Sequence, residues 1–257
     1  MTWLLAALVA ATAPGAAGAF GDRDRLQIGQ LLIGPAPVPR PNALRRLLWE
    51  LDKRTSIEVR LEATPVRLSD AAELFRHPLL YLAGDREFPP PDEEDVMRLR
   101  RHLVSGGMLL IDSAEGRAGG AFDQSVRALC ARLFPRAGLQ RLPEDHVVYR
   151  SFYLLRTPAG RVLAQPFLEA VVHDGRAVII YSQNDLGGAW ARDSFGQWEY
   201  DVVPGGAMQR EQAFRLGVNL VMYAMCLDYK TDQVHVPFIM RRRLWQAGPP
   251  DAGPSGP

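Results

Sequence analysis

Cysteine is nearly missing from these 257 residues: only Cys130 and Cys226 occur, each inside a helical hydrophobic pattern. Two thiols are too few for a disulfide-stapled fold. A buried free cysteine acts as a small hydrophobe, so both read as core residues, although an oxidising compartment would permit them to pair. An excess of charge is missing too. Thirty Lys and Arg stand against 29 Asp and Glu, a formal net charge of +1, which gives no electrostatic footprint for nucleic acid. The five histidines, at 77, 102, 146, 173 and 235, show neither paired-ligand nor triad spacing. His102 and His173 read as surface residues, and His146 and His235 are the two that can be placed near a site. Gly116 to Gly120 lacks the Lys-Ser or Lys-Thr of a Walker motif, so nucleotide binding is set aside and no cofactor is expected. No internal repeat is present.

Long apolar runs are also scarce. Residues 1–19 carry no charged side chain and end in Ala17-Gly18-Ala19, the small-x-small pattern of signal-peptidase cleavage. They predict an exported, periplasmic protein. The alternative, a membrane anchor, is opposed by Pro14-Gly15, because a span needs about twenty unbroken apolar residues. The final helix, with Phe214, Val218, Val221, Met222 and Met225 on one stripe, also carries Arg210, Glu211, Arg215 and Asn219, so it covers a core and does not span a bilayer. Residues 241–257, opening on Arg241-Arg-Arg243 and rich in Pro and Gly, read as a disordered tail. One domain is left at 20–240.

Within it, strands and helices alternate. Leu26–Ile33, Ile57–Leu61, Leu79–Ala83 and Met108–Ile111 read as strands. Helical spacing follows at Leu44, Leu47, Leu48 and Leu51, in a short helix capped by Ser69, at Val96, Leu99 and Leu103, and at Val126, Leu129, Cys130 and Leu133. The acids Asp92 to Asp95 suit a helix start better than a metal cluster. From 137 to about 167 short aromatic segments suggest an insertion or flap. Leu168–His173 and Arg176–Tyr181 flank Asp174-Gly175 as a hairpin, and residues 186–206 read as a long loop. The alternation predicts an α/β fold, a flavodoxin-like, mostly parallel sheet with helices on both faces, whose ligands gather at the carboxyl ends of the strands.

The segments Tyr81-Leu-Ala-Gly-Asp-Arg-Glu-Phe88, Gly106-Gly-Met-Leu-Leu-Ile-Asp112, Tyr181 to Trp190, Phe214-Arg-Leu-Gly-Val-Asn219 and Tyr223 resemble the bacterial family of domain of unknown function 4159 (DUF4159). The resemblance implies a class I glutamine amidotransferase-like architecture and a cell-envelope role beside MoxR-type ATPases and von Willebrand factor-type membrane proteins. It does not carry over the thiol mechanism. Where an amidotransferase has its cysteine turn, this chain reads Ile111-Asp112-Ser113-Ala114-Glu115, and where the histidine would stand it reads Gln183-Asn184-Asp185.

Candidate catalytic residues are therefore the strand-end acids Asp112, Glu115 and Asp185 with Ser113, a set that would suit acid-base hydrolysis of an envelope carbohydrate or peptide. Ile111 and Glu115 flank Ser113 where a nucleophile elbow needs small residues. The plainer reading has Asp112 and Asp185 accepting backbone N–H groups from nearby loops. Candidate ligand-binding residues are Gly84, Asp85, Glu87, Asn184, Trp190, Arg192 and Asp193. Trp190 would offer a flat apolar surface beside polar groups. No metal is assigned. The first expectation is an exported noncatalytic domain that binds a ligand or envelope partner at the strand ends. A hydrolase is the alternative, and a structural subunit of a membrane complex is a third.

Overall fold

The computed structural model describes residues 25–231, with side chains to residue 225. Residues 1–19 and 241–257, His235 and the Cys226 side chain lie outside them. In chain order the elements are β1 (Gly29–Leu32), α1 (Ala43–Arg54), β2 (Thr64–Arg67), α2 (Ala71–Leu74), β3 (Leu79–Gly84), α3 (Glu93–Val104), β4 (Met108–Ser113), α4 (Ala121–Leu133), β5 (Gln140–Arg141), β6 (Glu169–His173), β7 (Arg176–Ser182), α5 (Leu186–Trp190) and α6 (Gly206–Thr231).

The strands form one seven-stranded sheet in the order β2-β1-β3-β4-β7-β6-β5. The first five in that order are parallel, and β6 and β5 close one side as antiparallel partners. This is the α/β, flavodoxin-like arrangement that the alternation predicts. Strand side chains alternate between faces, so the sheet sorts its own residues into two cores. Leu110 and Ile180 pack with α1, α5 and α6 on one face, whereas Ile111 and Tyr181 pack with α2, α3 and α4 on the other.

Several local expectations are corrected. The second strand is Thr64–Arg67, while Val59 makes only an isolated bridge to Leu26. Pro65 masks that strand in the sequence, yet an edge position tolerates a residue without an N–H. The cap of α2 is Asp70, whose carboxylate accepts the Glu73 N–H, and not Ser69. The span 186–206 opens with a five-residue helix, α5. His102 is buried and packs edge-on against Phe75, and burial pushes its pKa down to about 4, so it is neutral at pH 7. The segment 137–167, expected as an insertion or flap, is not among these corrections: within it Val148, Tyr149 and Leu155 are buried, and the Asn219 side chain holds the backbone of Phe152 and Tyr153. Among the described residues, no helix is long and apolar enough to cross a membrane.

Trp190 is part of the core and presents no platform. It is fully buried between α1 and α6, donates its indole N–H to the Ala213 carbonyl at 3.0 Å, and leaves no room for a Cβ at Gly217. Truncation by W190A is expected to lower stability by about 3–5 kcal/mol, the range for emptying an aromatic site, as read by chemical denaturation.

Candidate functional site

Two neighbours in β4 set the geometry. Asp112 and Ser113 are consecutive in a strand, so their side chains leave the sheet on opposite faces. Asp112 pairs in register with Ser182 of β7 and Ala83 of β3 on the α1, α5 and α6 side. Ser113 pairs with Gly84, a glycine set against the Phe122 ring of α4, on the other side.

On the first face the Asp112 carboxylate is enclosed and used. Its Oδ1 accepts the Leu186 N–H at 2.8 Å, and its Oδ2 accepts the Gly187 N–H at 2.7 Å and the Tyr81 hydroxyl at 2.8 Å. Strand β4 thus anchors the amino end of α5 through one side chain. Burial first, and then the charge of Asp185, push the Asp112 carboxyl above the usual range to about 7.

Asp185 sits at the turn from β7 into α5 with φ of 54°, a left-handed conformation that Asp tolerates better than most residues. Its carboxylate has no solvent exposure. It accepts the Gly188 N–H at 2.9 Å and a two-point grip from Arg40, Nε to Oδ1 at 3.2 Å and Nη2 to Oδ2 at 2.9 Å, and it also pairs with Arg161 Nε. Arg40 lies in turn 3.9 Å from the centre of the Tyr200 ring. Asn184, also fully buried, ties down the 158–165 segment: its amide donates to the carbonyls of Pro158 and Gln165 and accepts the Gln165 N–H. At Gly160 an added Cβ would lie 2.1 Å from the Asn184 carbonyl oxygen, which requires glycine there.

On the second face Ser113 is fully buried next to Tyr181, which also neighbours the buried Asp123. The Tyr181 hydroxyl, Asp123 Oδ1 and Gln183 Oε1 each lack a hydrogen-bond partner, although Tyr181 stands close enough to Asp123 and Ser113 to feel them. Glu115 turns toward the start of α4, where its carboxylate faces the Asp123 N–H at 3.4 Å and fills the space beside Gly120. Of the four expected catalytic residues, then, Asp112 and Asp185 come together, while Ser113 and Glu115 lie across the sheet. Among the described residues, no group of three or more His, Cys, Asp or Glu is placed to hold a metal ion.

The remaining expected binding residues occupy the rim. Gly84, Asp85 and Glu87 line a narrow depression with Val38 and Phe122, and Asp85 is held by its neighbour Arg86. Arg192 and Asp193 line an open cavity of about 340 Å³ with Asn42, Arg45, Arg46, Trp49 and Leu61. Sequence reasoning missed Arg40 and Arg161, whose partner lies far along the chain. Tyr81 did carry a signal, since one hydroxyl within the apolar Leu79–Ala83 run needs a buried acceptor.

Breaking one side of the Asp185 cluster leaves a buried charge short of partners, so R40Q is expected to cost about 3–5 kcal/mol, and adding D185N to it should recover part of that loss in equilibrium unfolding. Asp112 sets a pH dependence. Its carboxyl is raised in the folded state, so its contribution to stability is complete below the unfolded value near 3.8 and is lost as pH rises through about 7. Unfolding free energy measured from pH 4 to 8 should therefore fall more steeply in the wild type than in D112N.

No curated protein matches this chain. A family model described as Domain of unknown function (DUF4159) matches residues 29–225, covering both polar clusters and the sheet between them. The chain belongs to the DUF4159 family.

Proposed function

We propose that this is an exported, noncatalytic domain of amidotransferase-like architecture that binds a ligand or cell-envelope partner at the carboxyl ends of its strands. One observation carries the reading: Asp112 and Ser113, the residues a hydrolase would need together, emerge on opposite faces of the sheet. The acids are also occupied. Asp112 takes three donors and Asp185 is gripped by two arginines and a backbone N–H, so neither is left open to a substrate. A general base must lie within hydrogen-bond reach of the proton it removes, and among the described residues no histidine bonds to Ser113. Export is supported by the uncharged residues 1–19 ending in Ala17-Gly18-Ala19, and the family resemblance suggests envelope systems of the MoxR and von Willebrand factor type as partners.

The test is a reaction assay with a binding arm. Purified protein incubated with murein sacculi or casein should release no product, a fluorophosphonate should leave Ser113 unlabelled while labelling trypsin alongside, and sacculus sedimentation should bring down the wild type and S113A equally. Product release that disappears in a folded D112N variant would assign a hydrolase instead.

A further inference from the structure

The open cavity beside Arg192 is built unlike the rest of the rim. It lies where two chain segments leave the strand ends: the start of α1, which follows β1, supplies Asn42, Arg45, Arg46 and Trp49, and the turn after α5, which follows β7, supplies Arg192, Asp193, Ser194 and Gly196. The second wall is a fixed loop. Asp193 Oδ1 accepts the N–H groups of Phe195 and Gln197, and the Asp193 N–H donates to the Gln197 carbonyl, so the Asp193 carboxylate is spent on the turn and does not neutralise its surroundings.

Positive charge here exceeds what the neighbouring acids answer. Arg45 pairs with Glu62, and Arg46 shares Glu50 with Arg54. Among the described residues, Arg192 has neither a side-chain hydrogen bond nor an ion-paired acid; its guanidinium lies 3.7 Å from the centre of the Trp198 ring. Arg210 lies 4.1 Å from the same ring and donates to the carbonyls of Ala189 and Tyr200, with no ion-paired acid among the described residues. The Nε atoms of both Arg46 and Arg192 are shielded from water and lack an acceptor. The arginines also act on one another: burial, and after it the Arg46 charge, lower the Arg192 pKa, and burial, then Arg192, lower that of Arg210. A guanidinium fork matches a carboxylate in shape, and with the Nε atoms turned inward it is the outer Nη groups that face a ligand.

We infer that this cavity is a binding site for a small organic acid, its carboxylate held by Arg192 and Arg46 and its apolar part laid against Trp49 and Leu61. The volume, about 340 Å³, lies within the range of small-molecule sites. Trp49 and Leu61 are both partly exposed there, which leaves apolar surface for the ligand to cover. A carboxylate fits better than a phosphate dianion, because Arg45 is already paired with Glu62 and Arg46 with Glu50, which leaves Arg192 to answer a single negative charge. The site deepens the noncatalytic binding role and rests on that reading.

Protein labelled with ¹⁵N-arginine tests it, with the Arg46 and Arg192 Nε–H signals assigned from R46Q and R192Q. Phenylacetate should shift both signals saturably, and phenylacetamide, the neutral isostere, should leave them in place. R192Q should weaken phenylacetate binding about tenfold or more, a loss of one bidentate contact. R192K, which keeps the charge without the fork, should fall between the two, with unchanged thermal unfolding showing that both variants fold. The assignment is overturned if phenylacetate gives no saturable shift, if phenylacetamide acts equally, if R192Q binds as the wild type does, or if inorganic phosphate alone moves the signals. Product release from sacculi would instead overturn the noncatalytic reading, so the two failures are told apart.

Discussion

A carboxylate without solvent must find its counter-charge inside the protein, and Asp185 is the place where this fold meets that demand. Taking an ion out of water costs several kcal/mol unless hydrogen bonds and opposite charge replace what water supplied. Arg40 comes from the segment after β1 and Arg161 from the segment before β6, so satisfying one side chain draws together parts of the chain more than a hundred residues apart. The same carboxylate caps α5, and α5 in turn brings its first N–H groups to Asp112. The strand ends are therefore closed by a network of named donors and acceptors, in which Tyr81, Asp112, Asp185, Arg40 and Arg161 depend on one another.

This arrangement explains how a flavodoxin-like sheet can keep acids at the usual ligand-binding edge without offering them to a ligand. Charge and aromatic surface that the core does not need lie further out, on the crossover segments. The contrast is clearest between Asp185, answered from three directions, and Arg192, which leans on a tryptophan ring and has no paired acid.

Much of the architecture was legible in the chain because hydrophobic periodicity is local. The aliphatic runs at Leu79–Ala83 and Met108–Ile111 and the stripe of α3 each report their own burial. The edge strand was misplaced because Pro65 speaks against a strand, and only its position at the sheet edge removes the objection. The site was harder to read. Asp112 and Ser113 stand side by side in the sequence and invite a joint role, yet the pleat that makes the strand parts them. Trp190 looked like a platform because Arg192 and Asp193 follow it closely in the sequence, just after two glycines at 187 and 188. Gly187 lets α5 sit close on Tyr81 and Arg40, and that closeness carries the indole inward.

The margins of the sheet remain. One ends in a four-residue strand containing proline and the other in a two-residue strand. Neither presents a ladder long enough for a foreign chain to extend by backbone pairing. Extension of the sheet by a foreign strand is thus disfavoured at both of these edge strands.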